Sequence, residues 1–572
     1  MKTYKSLIIL AAAGALTLSS CSDLLEKKPL VNLAVENYYQ NENDANTALM
    51  GLYGTLRRSG AMGTYHYIHV GDNMSDDTEI GNSRSDGVKW SGNALTLMKF
   101  DVDPSNSYAG NSVWEDCYFT ITTANYAIEN IGKNSSQINN AERYIAEAKF
   151  IRSLAYFNLT RQFGGVPVID HVLQYEEFFT PRSSEEETWE FVEKGFEEAA
   201  EGLPRTWTSS ERGRATKGAA LAMLARTYAY HASYNKQNET WQKLYDLVKE
   251  MEKENYFELE DNFADIFSME NENGKECCFS IQFATSKTGW GSENDGNNSS
   301  FYGHDAGITN ADLNPSVTTL HNINGKDIYD FVYNKMLEEF PDNINADGTP
   351  KGYLKKWTGW SLHCPTLDLV KAFEPGDPRL GATVIAPNEF YDGHTHFNLS
   401  SYSGYQGKKD YVPFAYRTDD SWEDDLPRNQ IVLRWANILL YMAEGCNELG
   451  KSGEALTYLE KVRGRARRSG DDPNALPEVT TTNKDELREA IYHERRVELA
   501  LEYDRYFDLA RTGRLVKVMS EYYKNYGNDA SKHEKGLNVK EYHSHLPIPK
   551  VAIDASYYKG EYTLEQNPGY SK

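Results

Sequence analysis

Three kinds of side chain in this 572-residue chain are placed for chemistry: a cysteine set to take a lipid, aromatic rings among turn residues, and carboxylates or histidines at short spacing. Cys21 follows Leu18-Ser19-Ser20, with Lys2, Lys5 and an apolar run over 7–18 upstream. A positive start, an apolar stretch too short to stay as a membrane-crossing helix, and small residues at its end make a secretory signal over residues 1–20. The thiol just after the small residues can take a diacylglyceryl group, and cleavage before it frees an amine for a further acyl chain. At roughly 0.8 kcal/mol per buried methylene, more than one chain holds a protein durably at a membrane surface without crossing it.

The rings suit sugar stacking. Trp290 stands in Thr-Gly-Trp-Gly-Ser, where a large apolar side chain is costly unless a ligand covers it, and it is the first choice for stacking on the C–H face of a pyranose. Phe301, Tyr302, Trp357 and Trp360 lie in the same region; Trp357 and Trp360, three apart, can share a helix face, so at least one is assigned to the core. Tyr402 and Tyr405 form either an aromatic loop or a packed turn. Trp90 with Asn93 offers a ring platform beside an amide that donates and accepts; the other reading of Trp90 is an anchor for its own loop.

Hydrolytic and metal chemistry lack the spacing they need. Among 84 acidic residues, neighbouring carboxylates arise by chance, and their separation in space decides whether they can cleave a glycoside. His394 and His396 have no third ligand at a recognisable spacing. Residues 343–348 begin like a calcium loop, yet Leu354 stands where the closing Glu is needed. There is no Gly-x-Ser-x-Gly elbow or phosphate-binding glycine loop. The expectation is a binding protein, not an enzyme, with no cofactor and no metal.

The formal charge is −24, and loss of Lys2 and Lys5 with the signal makes the mature chain two charges more negative. That balance disfavours nucleic acid and other anionic partners, which require clustered Lys and Arg; sugars and peptides carry no such penalty. The remaining cysteines, Cys117, Cys277, Cys278, Cys364 and Cys446, are odd in number and irregular in spacing, so no disulfide framework or zinc site is expected. The Cys277-Cys278 pair reads as buried small hydrophobes.

Behind these residues stands a helical frame. Apolar positions recur at three and four residues over 43–58, 114–131, 141–163, 186–201, 216–234, 241–252, 430–449, 453–468 and 485–510, which predicts paired amphipathic helices. Ala443 and Ala455 on either side of the 450–453 turn, and Ala219, Ala220, Ala222 and Ala225, fit the close contacts of a tetratricopeptide-like repeat. Residues 60–113 and 271–430, rich in Gly, Asn, Ser and turn signals, read as loop-dominated excursions with short strands, both covering one face of the scaffold. Residues 22–29 read as a mobile tether. The fold class is therefore mainly α, a helical-hairpin scaffold with a loop-rich lobe, organised as one domain over 21–572.

Several ordered blocks carry a resemblance: Cys21-Ser-Asp-Leu-Leu-Glu, residues 146–168 ending in Gly-Gly-Val-Pro-Val, residues 365–374 followed by Asp377-Pro-Arg-Leu, residues 494–511, Leu546-Pro-Ile-Pro, and Gln566-Asn-Pro-Gly-Tyr. Together they resemble the SusD/RagB family of surface glycan-binding lipoproteins of Bacteroidetes, over nearly the whole mature chain. Physically, Glu494, Arg495, Glu498, Glu502 and Arg505 lie at spacings that allow ion pairs along a helix, so these blocks identify the scaffold and not the site. The resemblance implies an aromatic-lined surface site, for which the first excursion offers Asp76, Arg84, Trp90 and Asn93; capping or loop bonding is the other reading of Asp76. It also implies a lid on a SusC-type TonB-dependent transporter, at the outer membrane and facing the exterior. A peptide cargo, as in RagB-like members, and a lipid-anchored glycosidase are the alternatives.

Overall fold

The computed structural model describes residues 38–58, 65–80, 88–283, 321–323, 326–327, 363–387, 389–392, 394–395, 403–416, 428–527 and 534–571. Within them the apolar period becomes α1 (Glu42–Thr55), α2 (Val88–Met98), α3 (Ser112–Lys133), α4 (Ala141–Phe163), α5 (Glu185–Gly202), α6 (Lys217–Asn235), α7 (Asn238–Lys253), α8 (Trp435–Glu448), α9 (Ser452–Arg468), α10 (Lys484–Glu498) and α11 (Arg505–Arg511), with further short helices besides. Local chemistry sets their ends. Ser184 and Glu187 form a reciprocal capping box at the start of α5, Thr216 caps α6 and Asn483 caps α10, each satisfying backbone N–H groups that a first turn leaves open. Helix α4 ends at Gly164, whose φ of 72° lies in the left-handed region, and Pro167 keeps the chain from resuming.

Neighbouring helices pack in order: α3 on α4, α4 on α5, α5 on α6, α6 on α7, α7 on α8, and α8 on both α9 and α10. Ala219, Ala220, Ala222 and Ala225 of α6 are buried, as are Ala443 and Ala455 of α8 and α9. Small side chains let these backbones approach, so each pair covers its neighbour's apolar face, as in repeat arrays. At Gly195 of α5 a Cβ would lie 2.0 Å from Ser153 Oγ and 3.3 Å from Ser153 Cβ of α4, so glycine there lets the two helices approach closely. One apolar cluster includes residues from Tyr39 to Leu564. The described cysteines are free thiols, buried except for the partly exposed Cys277. No helix among the described residues is long and apolar enough to cross a membrane.

Three expectations are corrected. Gln430–Arg434 does not begin α8 but forms a strand antiparallel to Cys277–Ile281, Gln430 opposite Ile281 and Arg434 opposite Cys277. Ile431, Val432 and Leu433 fit either period, and the pairing partner decides. The run 485–510 is not one helix: it stops at Glu498 and resumes at Arg505, with Leu501 and Tyr503 at φ 62° and 65° between. The first excursion is more regular than its composition implies, holding α2 and two π-helical turns, Tyr65–Asp72 and Ser107–Asn111.

The charged residues of 494–505 pair across the fold, not along one helix. Arg379 donates to Asp377, Glu494 and Glu498. Arg434 donates to Glu276, Glu498 and Glu502, and Arg465 to Glu276 and Glu498. Burial alone would raise the Glu498 carboxyl, but Arg465, Arg434 and Arg379 hold it well below the usual carboxylate range. This hub ties α9 and α10 to the strand pair and to the 377–379 segment of the second excursion.

Candidate functional site

The first excursion is seated on the scaffold through residues 72–79, where Asp72, Asn73, Ser75, Asp76, Asp77, Thr78 and Glu79 are all buried and only Met74 is apolar. Buried polar groups need partners, and these come from distant parts of the chain. Asp76 accepts from Arg505 Nε at 2.9 Å and Nη2 at 3.1 Å and pairs with Arg496 at 2.9 Å. Arg496 also reaches Asp77 at 2.7 Å and Asp368 at 2.8 Å. Asp72 lies 2.8 Å from His363 Nε2 and accepts the Tyr503 N–H at 3.2 Å. The Lys535 ammonium donates to the Thr78 carbonyl. At Gly71 a Cβ would fall 2.2 Å from the Tyr503 carbonyl oxygen, so glycine is required by this approach.

The same seat joins the two excursions. Thr78 stands opposite Pro365 and Glu79 opposite Cys364 in an antiparallel pair. Thr366 donates its N–H to the Asp77 carbonyl at 2.9 Å and its hydroxyl to the Asp76 carbonyl at 2.6 Å, while capping the helix Leu367–Ala372. Burial would raise Asp76, but Arg496 and Arg505 hold its carboxyl below the usual range; burial and the charge of Asp76 push Asp77 up.

Above the seat, Trp90 and Asn93 both belong to α2, three residues apart. Ala94, Leu97 and Met98 bury the inner side of this helix. The Asn93 carbonyl accepts from Asn106 Nδ2 at 3.0 Å and from the Thr96 hydroxyl at 2.8 Å. The far end is held by Gly536 and Asn538, whose N–H groups donate to the Met98 and Lys99 carbonyls, and by the Lys99–Glu534 ion pair. These contacts fix residues 93–99 of α2 against the scaffold as a shelf.

One predicted contact is corrected: Asp76 is 2% exposed and spent on two arginines, so it holds the excursion down and does not reach a ligand. Asn93 is partly exposed on α2. Arg84, Trp290, Tyr302, Trp357 and Trp360 lie outside the described residues, as do Cys21, the tether 22–29, Phe301, Tyr402, His396 and residues 343–348. Tyr405 packs against the cluster of Leu369, Phe373 and Val384, the packed-turn reading. Spacing did not single out Phe390, 70% exposed on a short hairpin of the second excursion, Phe390–Tyr391 with His394–Thr395; two adjacent aromatics in a turn-rich stretch carry no periodic signal. Among the described residues, no group of three or more His, Cys, Asp or Glu is placed to hold a metal ion.

The SusD family model matches residues 275–570. The chain belongs to the SusD family. A second model, described as starch-binding associating with outer membrane, matches residues 33–229. The SusD-like protein P25 of Formosa agariphila is 27% identical over 93% of this chain and 93% of its own. A SusD homolog from Bacteroides thetaiotaomicron superposes with a TM-score of 0.73 at 20% identity, covering 94% of this chain and 98% of that one. A laminarin-binding SusD-like protein superposes at 0.69 and 24% identity, covering 93% and 100%. These likenesses agree with the mainly helical SusD-like fold; one of these relatives is named for laminarin binding, and the second family model is described as starch-binding.

Proposed function

We propose that this SusD-family chain captures neutral oligosaccharides at the outer face of the outer membrane, anchored by lipid on Cys21, and passes them to a SusC-type TonB-dependent transporter. The observation that carries the reading is the way the fold is built. Two excursions are pinned to each other and to the C-terminal helices, which keeps the α2 shelf with Trp90 and Asn93 in a fixed relation to the second excursion. Such an arrangement binds without a bond being made or broken: rings stack on C–H faces, and amide and guanidinium groups meet hydroxyls. Trp290 supplies the main platform, with Trp90, Asn93, Tyr302, Arg84, Trp357 and Trp360 around it. The relative named for laminarin and the starch-binding family description support a glucan-type cargo, and the acidic charge favours an uncharged one.

Calorimetry against malto-, laminari- and xylo-oligosaccharides and a peptide panel, with chromatography for released products, tests this. Oligosaccharide binding without products is expected, with Trp290→Ala or Trp90→Ala weakening it about tenfold or more and leaving the unfolding temperature nearly unchanged. Equal destabilisation with retained affinity would put those rings in the core. Peptide binding without sugar binding would give the site to peptides, and turnover lost on replacing one carboxylate would make the protein a glycosidase.

A further inference from the structure

A second aromatic surface lies apart from the excursions. The 3-10 turn Tyr175–Phe179 follows α4, and a hairpin near the end of the chain pairs Tyr557 with Tyr562 and Tyr558 with Glu561. Phe179 and Tyr558 stack at 4.1 Å with planes 10° apart, and Tyr175 meets Phe179 edge-on at 6.0 Å. A hairpin with two-residue strands is marginal alone; this stack holds it to the scaffold together with Leu564, buried in the core just after it.

Cross-strand partners share a face. Tyr557 and Tyr562 therefore stand on the side turned away from Phe179, their rings 5.0 Å apart and inclined by 57°. They are 55% and 56% exposed, and Tyr175 and Phe178 are 69% and 65% exposed. None of the Tyr175, Tyr557 and Tyr562 hydroxyls bonds to another described residue.

Exposed rings of this kind serve either a protein or a sugar, and the surroundings separate the two. Glu176 lies between Tyr175 and Phe178 in the turn, and Lys559 and Glu561 lie between Tyr558 and Tyr562, all exposed. Protein interfaces deplete charge at their core. A pyranose chain brings C–H faces to the rings and hydroxyls to the interleaved charges and free phenols. We propose that the Tyr557–Tyr562 face is a second platform for a neutral polysaccharide strand. It rests on the glycan-binding reading above and would hold a polymer while the excursion site engages a short stretch of it, the two contacts adding through effective concentration.

Affinity electrophoresis in laminarin, amylopectin and xyloglucan gels first finds the polymer that retards the wild-type protein. On that polymer, Tyr557→Ala/Tyr562→Ala should bind about tenfold more weakly, with unchanged melting temperature and unchanged calorimetric affinity for a short oligosaccharide of the same repeat. Tyr557→Phe/Tyr562→Phe, which keeps the rings, should retain most of the retardation. Wild-type retardation in the Ala double variant would overturn the platform, and so would retained polymer binding with lost co-purification of a SusC-type transporter, which would mark a protein surface. If the Ala variant loses polymer binding while Trp290→Ala and Trp90→Ala leave oligosaccharide affinity intact, the platform stands and the excursion assignment fails. If no polymer retards the wild type, the glycan reading fails and the platform with it.

Discussion

In α6 the buried face is built largely from small and apolar side chains, Ala219, Ala220, Ala222, Met223, Leu224 and Ala225, with Arg226 and His231 buried beside them, whereas in residues 72–79 the buried side chains are mostly Asp, Asn, Ser, Thr and Glu. Apolar burial is non-directional and tolerates small shifts. A buried carboxylate between two guanidinium groups does not, because losing one partner strands a charge. The scaffold adds directional pairs such as Arg226 with Asp504 and Arg511 with Glu444 to a large apolar core, whereas the 72–79 segment of the first excursion is held almost wholly by the directional kind. A surface that must present rings at a fixed separation needs the directional kind.

The largest effect should come from the hub that ties the second excursion to α9 and α10. Arg379→Ala removes a fully buried guanidinium from Asp377, Glu494 and Glu498, and chemical denaturation should show a loss of about 3–5 kcal/mol. A loss below about 1 kcal/mol would mean that these pairs behave like surface salt bridges.

Next comes a direct comparison of seat and scaffold. Asp76→Ala leaves Arg496 and Arg505 competing for Asp77 and should cost about 3 kcal/mol; Leu154→Ala, in the helical core, should cost about 2–5 kcal/mol. Only the first should also weaken oligosaccharide binding at temperatures where both variants are folded. If calorimetry finds both variants equally impaired or equally intact in binding, the seat has no special role in positioning the site.

The smallest effect is a pH dependence. His69, stacked on Tyr108 at 5.0 Å, is held down to about 3 by burial and by nearby His363. The unfolded chain titrates near 6.5 and so takes up protons that the folded chain refuses. Stability is then full above about pH 6.5 and falls as pH drops toward 3. His543, held down to about 4 by burial and Lys540, acts in the same sense. The melting temperature should decline from pH 7 to 4.5, and His69→Gln should reduce that slope by about half. An unchanged slope would assign the dependence to other groups.

Much of the scaffold was legible because helix periodicity is local: 141–163 was read to the residue, and the Ala faces of α6, α8 and α9 fell where expected. The break after Glu498 was not, since Ala500 and Leu501 are good helix formers; the left-handed backbone at Leu501 and Tyr503 is imposed where Asp72 and Gly71 meet Tyr503 from across the chain. Asp76 was misassigned for the same reason. The resemblance offers it beside Trp90 in one excursion, but Arg496 and Arg505, more than four hundred residues away, claim it. Of the site itself, the helix carrying Trp90 and Asn93 was hidden by its Gly, Asn and Ser content, while family resemblance named that pair without its shelf.

The seat also sets an order of assembly. Arg505 follows Asp76 by 429 positions, and Lys535, which closes over Thr78, comes later still. A chain synthesised from its N-terminus can stack its early helices long before these partners emerge. Helix α2, whose end is held by Gly536 and Asn538, therefore gains its last anchors only near the end of synthesis, so a prematurely terminated polypeptide would keep much of its helix yet leave Trp90 and Asn93 without that support.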